Sequence, residues 1–385
     1  MNSLKLILRN ALRHKLRTGL TVLGLIVAVL AFGLLQTVVD AWYAGANSAA
    51  PNRLVTRNAI SLVFSMPLHY REKIRAVPGV RQVAPFNWFG GYYQDPKNFF
   101  AQFAVDPLPF LAMYPEYRIA EDDLRAFLRD RKGAIIGRKL ADRYGFRVGD
   151  TIPLQGTIYP GVWSFTVRAI YDGADARVDA SQLFFHWEFL NETMKQRQPR
   201  RGDQVGVFMV QIEDPQRSAA IAQAIDALFK NSLAETLTET EKAFQLGFVA
   251  MTEAIVVAIR IVSFVVIFII LAVMANTMAM TARERTPEYA TLKVLGFGPG
   301  YVARLVFGES LAIALCGAAL GIALTFPVAA WFGAEMGNFF PVFEVSRTTV
   351  ALQLACAVGV GIAAALLPGR NAARVRIVDG LRAIG

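Results

Sequence analysis

Charged residues are absent from four long windows of this chain. The windows are Thr18–Val39, Ile261–Ala282, Ser310–Ala334 and Thr348–Gly369. Each is longer than the roughly 20 apolar residues with which a helix crosses a ~30 Å hydrocarbon core. Four helices buried in a soluble core are the alternative, but apolar runs of this length are typical of membrane spans. The pattern therefore predicts four transmembrane helices.

The residues before the first window form an amphipathic pattern. Leu4, Ile7, Leu8, Ala11 and Leu12 fall at helical spacing, with basic residues on the other faces. This pattern predicts a cytosolic amphipathic helix over residues 1–17 that lies among the inner headgroups. The alternative is a signal peptide cleaved after Ala44-Gly45-Ala46. Because the apolar run exceeds the 7–15 residues of a signal peptide, a retained anchor is favoured.

The long region between the first two windows reads as mixed α/β. Leu54–Ile60 and Gln204–Ile212 are predicted strands, and Val80–Tyr93 is a predicted strand or hairpin. Pro67–Val77 and Pro215–Phe229 have helical spacing. Two β-α units so far apart in sequence can pair into one small sheet with both helices on one face.

The stretch between these two units is predicted to be an insert, residues 96–202. Gly133–Tyr144 indicates a strand and a short helix, and Thr151–Leu154 and Phe165–Ile170 indicate strands. Thr238–Arg260 is predicted to be one helix that begins outside the membrane and continues into the second span. With the first span, it would form a pair of stiff rods between the cytosol and the outer region.

Charge is distributed according to membrane topology. The chain is 54% hydrophobic and 18% charged, below the roughly 25% charged residues of soluble domains. Of the formal net charge of +10, the basic residues gather before the first span, between the second and third, and after the fourth. By the positive-inside rule both termini are cytosolic, and the region from about residue 40 to 253 is outside. The basic excess thus requires no nucleic-acid partner.

No constellation for catalysis is present in the sequence. Cys316 and Cys356 fall in predicted spans, and His14, His69 and His186 have no metal-ligand spacing. No stretch fits G-x-x-x-x-G-K-[ST], G-x-S-x-G or H-E-x-x-H. The spans lack a central charged residue that could couple transport to an ion gradient. We therefore predict a protein that is not an enzyme, holds no metal and takes its energy from a partner.

The short polar stretch between the second and third spans is the candidate functional element. Its sequence from Arg283 to Gly298 is RERTPEYATLKVLGFG, in which charged residues alternate with apolar ones. Such a stretch is short enough to be rigid and amphipathic enough to be a docking surface. Four further positions are candidates for helix packing: Gly317 and Gly321, which form a GxxxG pair, and Asn276 and Glu309. For the last two, a hydrogen bond between helices and a simple interfacial position are equally supported.

At this point architecture and motif together resemble a family, the MacB/FtsX-type permeases of ABC transporters. The family pattern E-R-[ST]-x-E-I-G-x-L-[KR]-A-L-G is matched at Glu284-Arg285-Thr286, Glu288, Leu292-Lys293 and Leu295-Gly296. Pro287, Tyr289-Ala290 and Val294 depart from it. The opening LRNALRHKLRTGLTVLGL, Gly-Glu-Ser at 308–310 and the tail beginning Pro368-Gly369-Arg370 are also similar, so the resemblance runs the length of the chain.

The resemblance implies a fold of four transmembrane helices with a large α/β extracytoplasmic domain between helices 1 and 2. This domain would be porter-like over residues 51–95 and 203–235, with the inserted subdomain 96–202. The implied boundaries are 1–17 for the amphipathic helix, 18–41 for TM1, 42–250 for the outer domain, 251–282 for TM2, 283–300 for the coupling segment, 301–333 for TM3, 334–347 for an external loop, 348–369 for TM4 and 370–385 for the cytosolic tail.

The resemblance also implies partners. The coupling segment would dock on a cytosolic ABC ATPase that is a separate polypeptide and that binds the ATP and Mg²⁺, leaving this chain without a cofactor. The implied coupling residues are Arg283, Glu284, Arg285, Glu288, Leu292, Lys293, Leu295 and Gly296. A second copy or a paralogue would complete the transporter in the bacterial inner membrane, and a periplasmic adaptor is a further implied partner.

Two functions follow from the family, and a third from another class. The leading one is a permease subunit that couples ATP hydrolysis in its partner to export or extraction of a substrate. The alternative is an FtsX-like regulator that moves an extracytoplasmic partner and transports nothing. The large outer region favours export, because FtsX-like regulators carry a small one. A membrane-anchored sensor without an ATPase is the third, and it predicts that Glu284 and Glu288 are dispensable.

Overall fold

The computed structural model describes residues 15–175, 177–335, 340 and 342–376. The predicted amphipathic helix lies outside the described residues, except for 15–17. The chain divides into two compact units. The described residues of the membrane unit are 15–41, 252–335 and 343–376, and those of the outer unit are 42–251 with 340 and 342.

Four helices of the described chain are long and apolar enough to cross a membrane, as predicted. They are α1 (Lys15–Trp42), α10 (Glu253–Glu284), α12 (Pro299–Glu335) and α13 (Arg347–Arg374). The short helix α11 (Thr286–Val294) lies between α10 and α12. Membrane helices pack without a hydrophobic driving force between them, so close approach depends on small residues and hydrogen bonds.

Small residues bring α12 and α13 together. A Cβ added at Gly361 would lie 2.9 Å from the Ala314 Cβ, and one at Gly369 would lie 2.9 Å from the Phe307 ring. The Ser310 hydroxyl donates to the Gly361 carbonyl at 2.6 Å. These two helices therefore form one tightly packed pair.

Buried polar side chains join α1 to that pair. The Gln353 amide donates to the Val29 carbonyl at 2.8 Å and to the Thr325 hydroxyl at 2.9 Å. Near the C-terminal end of α1, the Asp40 carboxylate accepts hydrogen bonds from the hydroxyls of Ser346 and Thr349, each at 2.8 Å. Such bonds are favourable because an unpaired polar group in hydrocarbon is costly.

The outer unit is α/β. Its helices are α2 (Ala44–Ser48), α3 (Tyr70–Arg75), α4 (Pro107–Met113), α5 (Glu121–Arg129), α6 (Arg138–Tyr144), α7 (Trp187–Arg197), α8 (Ser218–Leu228) and α9 (Glu241–Met251), with 3₁₀ turns at Pro199–Arg201 and Pro215–Arg217. Its strands are β1 (Arg53–Asn58), β2 (Met66–Pro67), β3 (Val80–Trp88), β4 (Gly91–Tyr93), β5 (Gln102–Val105), β6 (Tyr117–Arg118), β7 (Gly133–Gly137), β8 (Thr151–Gly156), β9 (Gly161–Gly173), β10 (Leu183–His186), β11 (Gln204–Val205), β12 (Val207–Ile212) and β13 (Thr236–Thr240).

One large sheet runs through the outer unit in the order β13-β1-β12-β3-β5-β10-β7-β9-β8-β4. β6 pairs with β9 beside this path, and β2 and β11 form a separate pair. The pairs β5–β10 and β7–β9 are parallel, and the other neighbours on the path are antiparallel. The predicted pairing of distant units is confirmed, because β12 lies between β1 and β3.

Alternating side chains bury both faces of this sheet. Leu54 and Phe208 belong to one buried cluster, together with Ile74 of α3 and Ile221 of α8. Val55 belongs to the other, with side chains of α4 and α5 and with Phe244 of α9. Because successive side chains of a strand point to opposite faces, two apolar layers form. The predicted location of α3 and α8 on one face is confirmed.

The structure corrects three details of the predictions. Residues 80–93 are not a hairpin, because β3 pairs with β12 and β5 whereas β4 pairs with β8. The strands of the predicted insert continue the same sheet, which is therefore larger than the small sheet expected from the two β-α units. Residues 91–93, expected in the porter-like part, accordingly lie at the end formed by strands of the insert.

The predicted single helix over Thr238–Arg260 is wrong. Strand β13 runs to Thr240, α9 ends at Met251, and α10 begins at Glu253. Thr252 leaves the helical region with φ −113° and ψ 15°. A similar interruption at Tyr43, with φ −91° and ψ 0°, separates α1 from α2. The expected unbroken rods are therefore each interrupted, at the places where the two units meet in sequence.

A buried arginine joins three parts of the outer unit. Arg53 of β1 is 3% exposed and contacts Glu241 at 2.5 Å and Glu116 at 2.8 Å. Its guanidinium lies 4.1 Å from the centre of the Tyr114 ring, and the Tyr114 hydroxyl donates to Glu241 at 2.9 Å. Burial opposes the charge, but the carboxylates raise the pKa of Arg53 above its ordinary value.

Candidate functional site

The connector, residues 283–300, consists of the end of α10, the two-turn helix α11 and the start of α12. The helix α10 ends at Glu284, and Pro287 lies in the first turn of α11. Proline is tolerated there because an N–H in the first turn of a helix has no acceptor within the helix, so its absence costs no hydrogen bond. Pro287 thus lies at the start of a new helix.

Gly296 ends α11 in a left-handed conformation, with φ +92°. The Phe297 N–H donates to the Leu292 carbonyl at 3.0 Å, and the Gly296 N–H donates to the Lys293 carbonyl at 3.1 Å. This is the hydrogen-bond pattern of a Schellman motif, whose central residue is usually glycine because a Cβ is disfavoured at positive φ. The Leu-Gly of the family pattern is therefore a helix stop.

The first charged contact of the connector is with α1. The two Arg17 Nη atoms donate to the two Glu284 carboxylate oxygens, each at 2.8 Å. Both side chains remain partly exposed, at 30% and 41%. A bidentate arginine–carboxylate pair has defined geometry, but exposed pairs contribute only about 0–1 kcal/mol.

The second charged contact is buried and joins the connector to α12. Arg285 Nη1 donates to Glu309 Oε2 at 2.7 Å, and the two side chains are 5% and 7% exposed. Glu288 lies farther away, with its carboxylate oxygen 3.9 Å from Arg285 Nε. Tyr289 packs beside the pair, is 4% exposed, and burial raises its pKa to about 12. A buried polar cluster therefore underlies the connector.

The third contact is with the end of α13. The Lys293 ammonium donates to the carbonyls of Ala373 and Val375, at 2.8 and 2.7 Å. The last carbonyls of a helix lack partners within the helix and carry partial negative charge, so a lysine there is stabilising. The connector thus contacts α1, α12 and α13 through three different charged residues.

The connector also carries an exposed apolar stripe, formed by Val294, Leu295 and Phe297. Val294, Leu295 and Phe297 are 57%, 69% and 41% exposed, and Phe297 stacks on Tyr301 at 4.6 Å. The predicted coupling residues Arg283 and Glu288 are also exposed, whereas Leu292 is half-buried. Exposed apolar residues surrounded by charged ones are typical of an interaction surface.

The structure separates the predicted coupling residues into two groups. Glu284, Arg285 and Lys293 contact other helices of the same chain, whereas Arg283, Glu288 and Leu295 are exposed. A Cβ added at Gly296 would have no atom within 4 Å, so the role of this glycine is conformational. Arg17, Tyr289 and the α13 carbonyls were missed, because spacing along a sequence does not reveal contacts between distant helices.

The four candidates for helix packing also differ. A Cβ at Gly317 would lie 2.5 Å from the Leu25 Cβ, and one at Gly321 would lie 2.8 Å from the Val29 Cβ. The GxxxG pair therefore packs against α1 of the same chain. Glu309 forms the buried pair with Arg285, whereas Asn276 lies on the exposed side of α10.

The described part of the chain contains no group of three or more His, Cys, Asp or Glu side chains that could hold a metal ion. What the connector offers chemically is a surface, formed by apolar side chains and flanked by charge. Its buried side is fixed to the membrane helices by hydrogen bonds and ion pairs.

Two family descriptions match the chain. The MacB-like periplasmic core domain matches residues 18–228, and the FtsX-like permease C-terminal domain matches residues 260–375. The first match covers α1 and most of the outer unit, and the second covers the last three spans with the connector. Both lie in the order that the resemblance implied.

Several curated relatives match this chain over 102 residues each. The macrolide export ATP-binding/permease protein MacB of Shewanella sp. (strain ANA-3) is 32% identical over 102 residues, which are 26% of this chain and 15% of that protein. The protein of the same name from Chromobacterium violaceum is 29% identical over 102 residues, 26% of this chain and 16% of that protein. The matched segment thus spans only a small part of these relatives.

Solved structures of outer domains are also similar. The periplasmic region of MacB from Actinobacillus actinomycetemcomitans has a TM-score of 0.37 and 8% identity, covering 52% of this chain and 94% of that one. The extracellular domain of the noncanonic ABC-type transporter YknZ from Gram-positive bacteria has a TM-score of 0.36 and 11% identity, covering 49% and 99%.

Proposed function

This chain belongs to the MacB/FtsX-type permeases of ABC transporters, and we propose that its connector docks on a cytosolic ABC ATPase and passes on the movement that ATP hydrolysis produces. The chain is thus an ABC permease subunit with a multi-pass membrane part. The ATPase, as a separate subunit, would bind ATP and Mg²⁺. Docking on a cytosolic ATPase requires that the connector is cytosolic. Both termini are then cytosolic as well, and the outer unit is extracytoplasmic.

The exposed apolar stripe of the connector is the observation that carries this proposal. Val294, Leu295 and Phe297 present apolar surface in the same short connector as the exposed, charged Arg283 and Glu288. Burying such a surface on a partner is favourable by roughly 25 cal/mol per Å² of apolar area. Exposed charges around it supply orientation and specificity more than affinity.

The proposed output is export or extraction of a substrate on the outer side of the membrane. The outer unit, residues 42–251, is large, which favours an exporter over a regulator with a small outer domain. Two copies, or this chain with a paralogue, would form the transporter, and a periplasmic adaptor is a further partner of the proposed complex. A regulator that moves an extracytoplasmic partner remains the alternative proposal.

The test uses the full chain in nanodiscs with the ABC ATPase encoded nearest to it in the same genome. We expect a stable complex in which ATP hydrolysis depends on this chain. The Leu295→Asp variant places a charge in the stripe and is expected to weaken the complex at least about tenfold, the equivalent of 1.4 kcal/mol.

The matched control is Leu233→Asp, the same substitution at a fully exposed leucine of the outer unit. This control is expected to bind the ATPase as the unmodified chain does. If Leu295→Asp and Leu233→Asp bind equally well, the stripe is not the docking surface. If no ABC ATPase binds the unmodified chain, the sensor interpretation replaces the transporter.

A further inference from the structure

The two ion pairs of the connector differ in their surroundings. The Arg17–Glu284 pair is at the surface, with side chains 30% and 41% exposed. The Arg285–Glu309 pair is enclosed, with side chains 5% and 7% exposed. One joins the connector to α1 and the other joins it to α12, so the two contacts are not mechanically equivalent.

The enclosure of Arg285 and Glu309 follows from their neighbours in sequence. Ala282 lies one turn before Arg285, and Val306 lies one turn before Glu309, and both belong to the buried apolar cluster of the membrane unit. Tyr289, one turn after Arg285, belongs to the same cluster. Residues three apart share one face of a helix, so Glu309 lies on an apolar face of α12. Arg285, at the junction of α10 and α11, is flanked by a buried residue of each helix.

A buried pair and an exposed pair respond differently to a displacing force. When an exposed pair separates, water solvates both charges and little is lost. When a buried pair separates, each charge remains in apolar surroundings without compensation. The Arg285–Glu309 contact therefore resists separation, whereas the Arg17–Glu284 contact gives way.

We propose that Arg285 is the positioning residue that makes the connector and α12 move as one body, and that Arg17 does not have this role for α1. This inference rests on the proposed function for the source of the force. Because α13 packs tightly on α12 through Ser310 and Gly361, α13 follows α12. Movement of the connector thus reaches the third span, and through it the fourth, by way of this buried joint, beside the direct Lys293 contact with the end of α13.

The first arm of the test measures the joint without an ATPase. Cys316 and Cys356 are replaced by alanine, and spin labels are attached at Thr291→Cys on α11 and Leu324→Cys on α12, both exposed positions. We expect a narrow distance distribution in the otherwise unmodified chain. Arg285→Gln and Glu309→Gln are expected to broaden it, and Arg285→Lys, which keeps the charge, to restore most of its narrowness.

Arg17→Gln is the matched control, since it removes the exposed pair by the same substitution. It is expected to leave the α11–α12 distribution unchanged. If Arg285→Gln does not fold, the joint is tested with Arg285→Lys, which keeps the positive charge, and with Glu309→Gln. If Arg285→Gln, Glu309→Gln and Arg17→Gln all keep the narrow distribution, the joint does not exist.

The second arm adds the ATPase. Arg285→Gln is expected to bind it with nearly unchanged affinity. ATP is expected to leave the α11–α12 label distance of the otherwise unmodified chain constant, because the two helices move together, and to change this distance in Arg285→Gln. An equal ATP-driven change of the α11–α12 distance in the unmodified chain and in Arg285→Gln would overturn the positioning role, and so would loss of ATPase binding in Arg285→Gln. If the ATPase binds no variant, the unmodified chain included, the proposed function fails and the first arm alone decides whether the joint exists.

Discussion

Arg53 shows how a single charge is accommodated inside the outer unit. Its guanidinium contacts Glu241, Glu116 and the Tyr114 ring, and it donates to the Met113 carbonyl at 3.0 Å. A buried charge of this kind is tolerated only when it is paired and hydrogen-bonded. Arg53 therefore joins β1 to the first residue of α9, the last helix before the second span.

Replacing Glu241 with leucine is expected to destabilise the outer unit. The change leaves Arg53 with one carboxylate fewer and the Tyr114 hydroxyl without its acceptor. Breaking a buried pair in this way costs about 3–5 kcal/mol. We expect the lower value, because Arg53 keeps its contact with Glu116. The free energy of unfolding, measured with denaturant on the full chain in detergent, checks it.

The control for this prediction is Glu192→Leu. Glu192 pairs with Lys195 at 3.1 Å, but both side chains are exposed, so the expected change is at most about 0.5 kcal/mol. Equal stability of the two variants would mean that the Arg53 cluster contributes nothing to the fold.

At the scale of elements, glycines determine how closely α1 and α12 approach. Gly317 and Gly321 lie one turn apart and face Leu25 and Val29. In lipid, such close approach replaces the hydrophobic driving force of soluble helix packing. Packing of α12 on α1 within one chain thus accounts for the GxxxG pair of Gly317 and Gly321.

The Gly321→Leu variant is expected to lose stability, because its side chain cannot fit against Val29 without moving α1. Overpacking of this kind costs typically about 1–3 kcal/mol. The thermal unfolding midpoint of the full chain in detergent measures it. Gly359→Leu, on α13 with no atom within 4 Å of an added Cβ, is the control and is expected to unfold at the original midpoint. A lower midpoint for Gly359→Leu alone would contradict this account of the packing.

The helix interruptions at Tyr43 and Thr252 change the view of how the membrane and outer parts are connected. Continuous helical periodicity favours a rod, but neither position keeps helical dihedral angles. β-Branched threonine and aromatic tyrosine are only moderate helix formers, and neither is a strong sequence signal for a break. The location of the interruptions is therefore a property of the fold.

At the scale of the whole molecule, the distribution of charge predicts the membrane orientation. The basic residues gather at the ends of the spans that the positive-inside rule places in the cytosol. Single cysteines at Leu233 and Leu295, in a chain without Cys316 and Cys356, test this arrangement in spheroplasts with a maleimide that cannot cross membranes. We expect labelling at residue 233 in intact spheroplasts, and at residue 295 only after lysis. The reverse pattern would invert the topology and remove the connector from the cytosol.

The sequence predicted more of the framework than of the contacts. Four spans, the α/β character of the outer unit and the pairing of its distant strands followed from hydrophobic period and segment length. The connector was identified by its position and its motif. The contacts of Glu284, Arg285 and Lys293 with helices of the same chain were not predicted. The role of these residues in docking an ATPase stays a prediction.

The local pattern of apolar and polar residues thus determined the helices and strands of this protein. A segment buried in lipid needs a long apolar run, and a strand buried in a sheet needs apolar residues at regular intervals. The family pattern likewise determined where the helix α11 of the connector ends, since a positive φ at Gly296 is a local requirement. Tertiary structure alone decided which charges are buried and which are exposed. Arg17 and Glu284, or Arg285 and Glu309, are far apart in sequence, and only the packing of helices brings them within hydrogen-bond distance and excludes water from one pair but not the other.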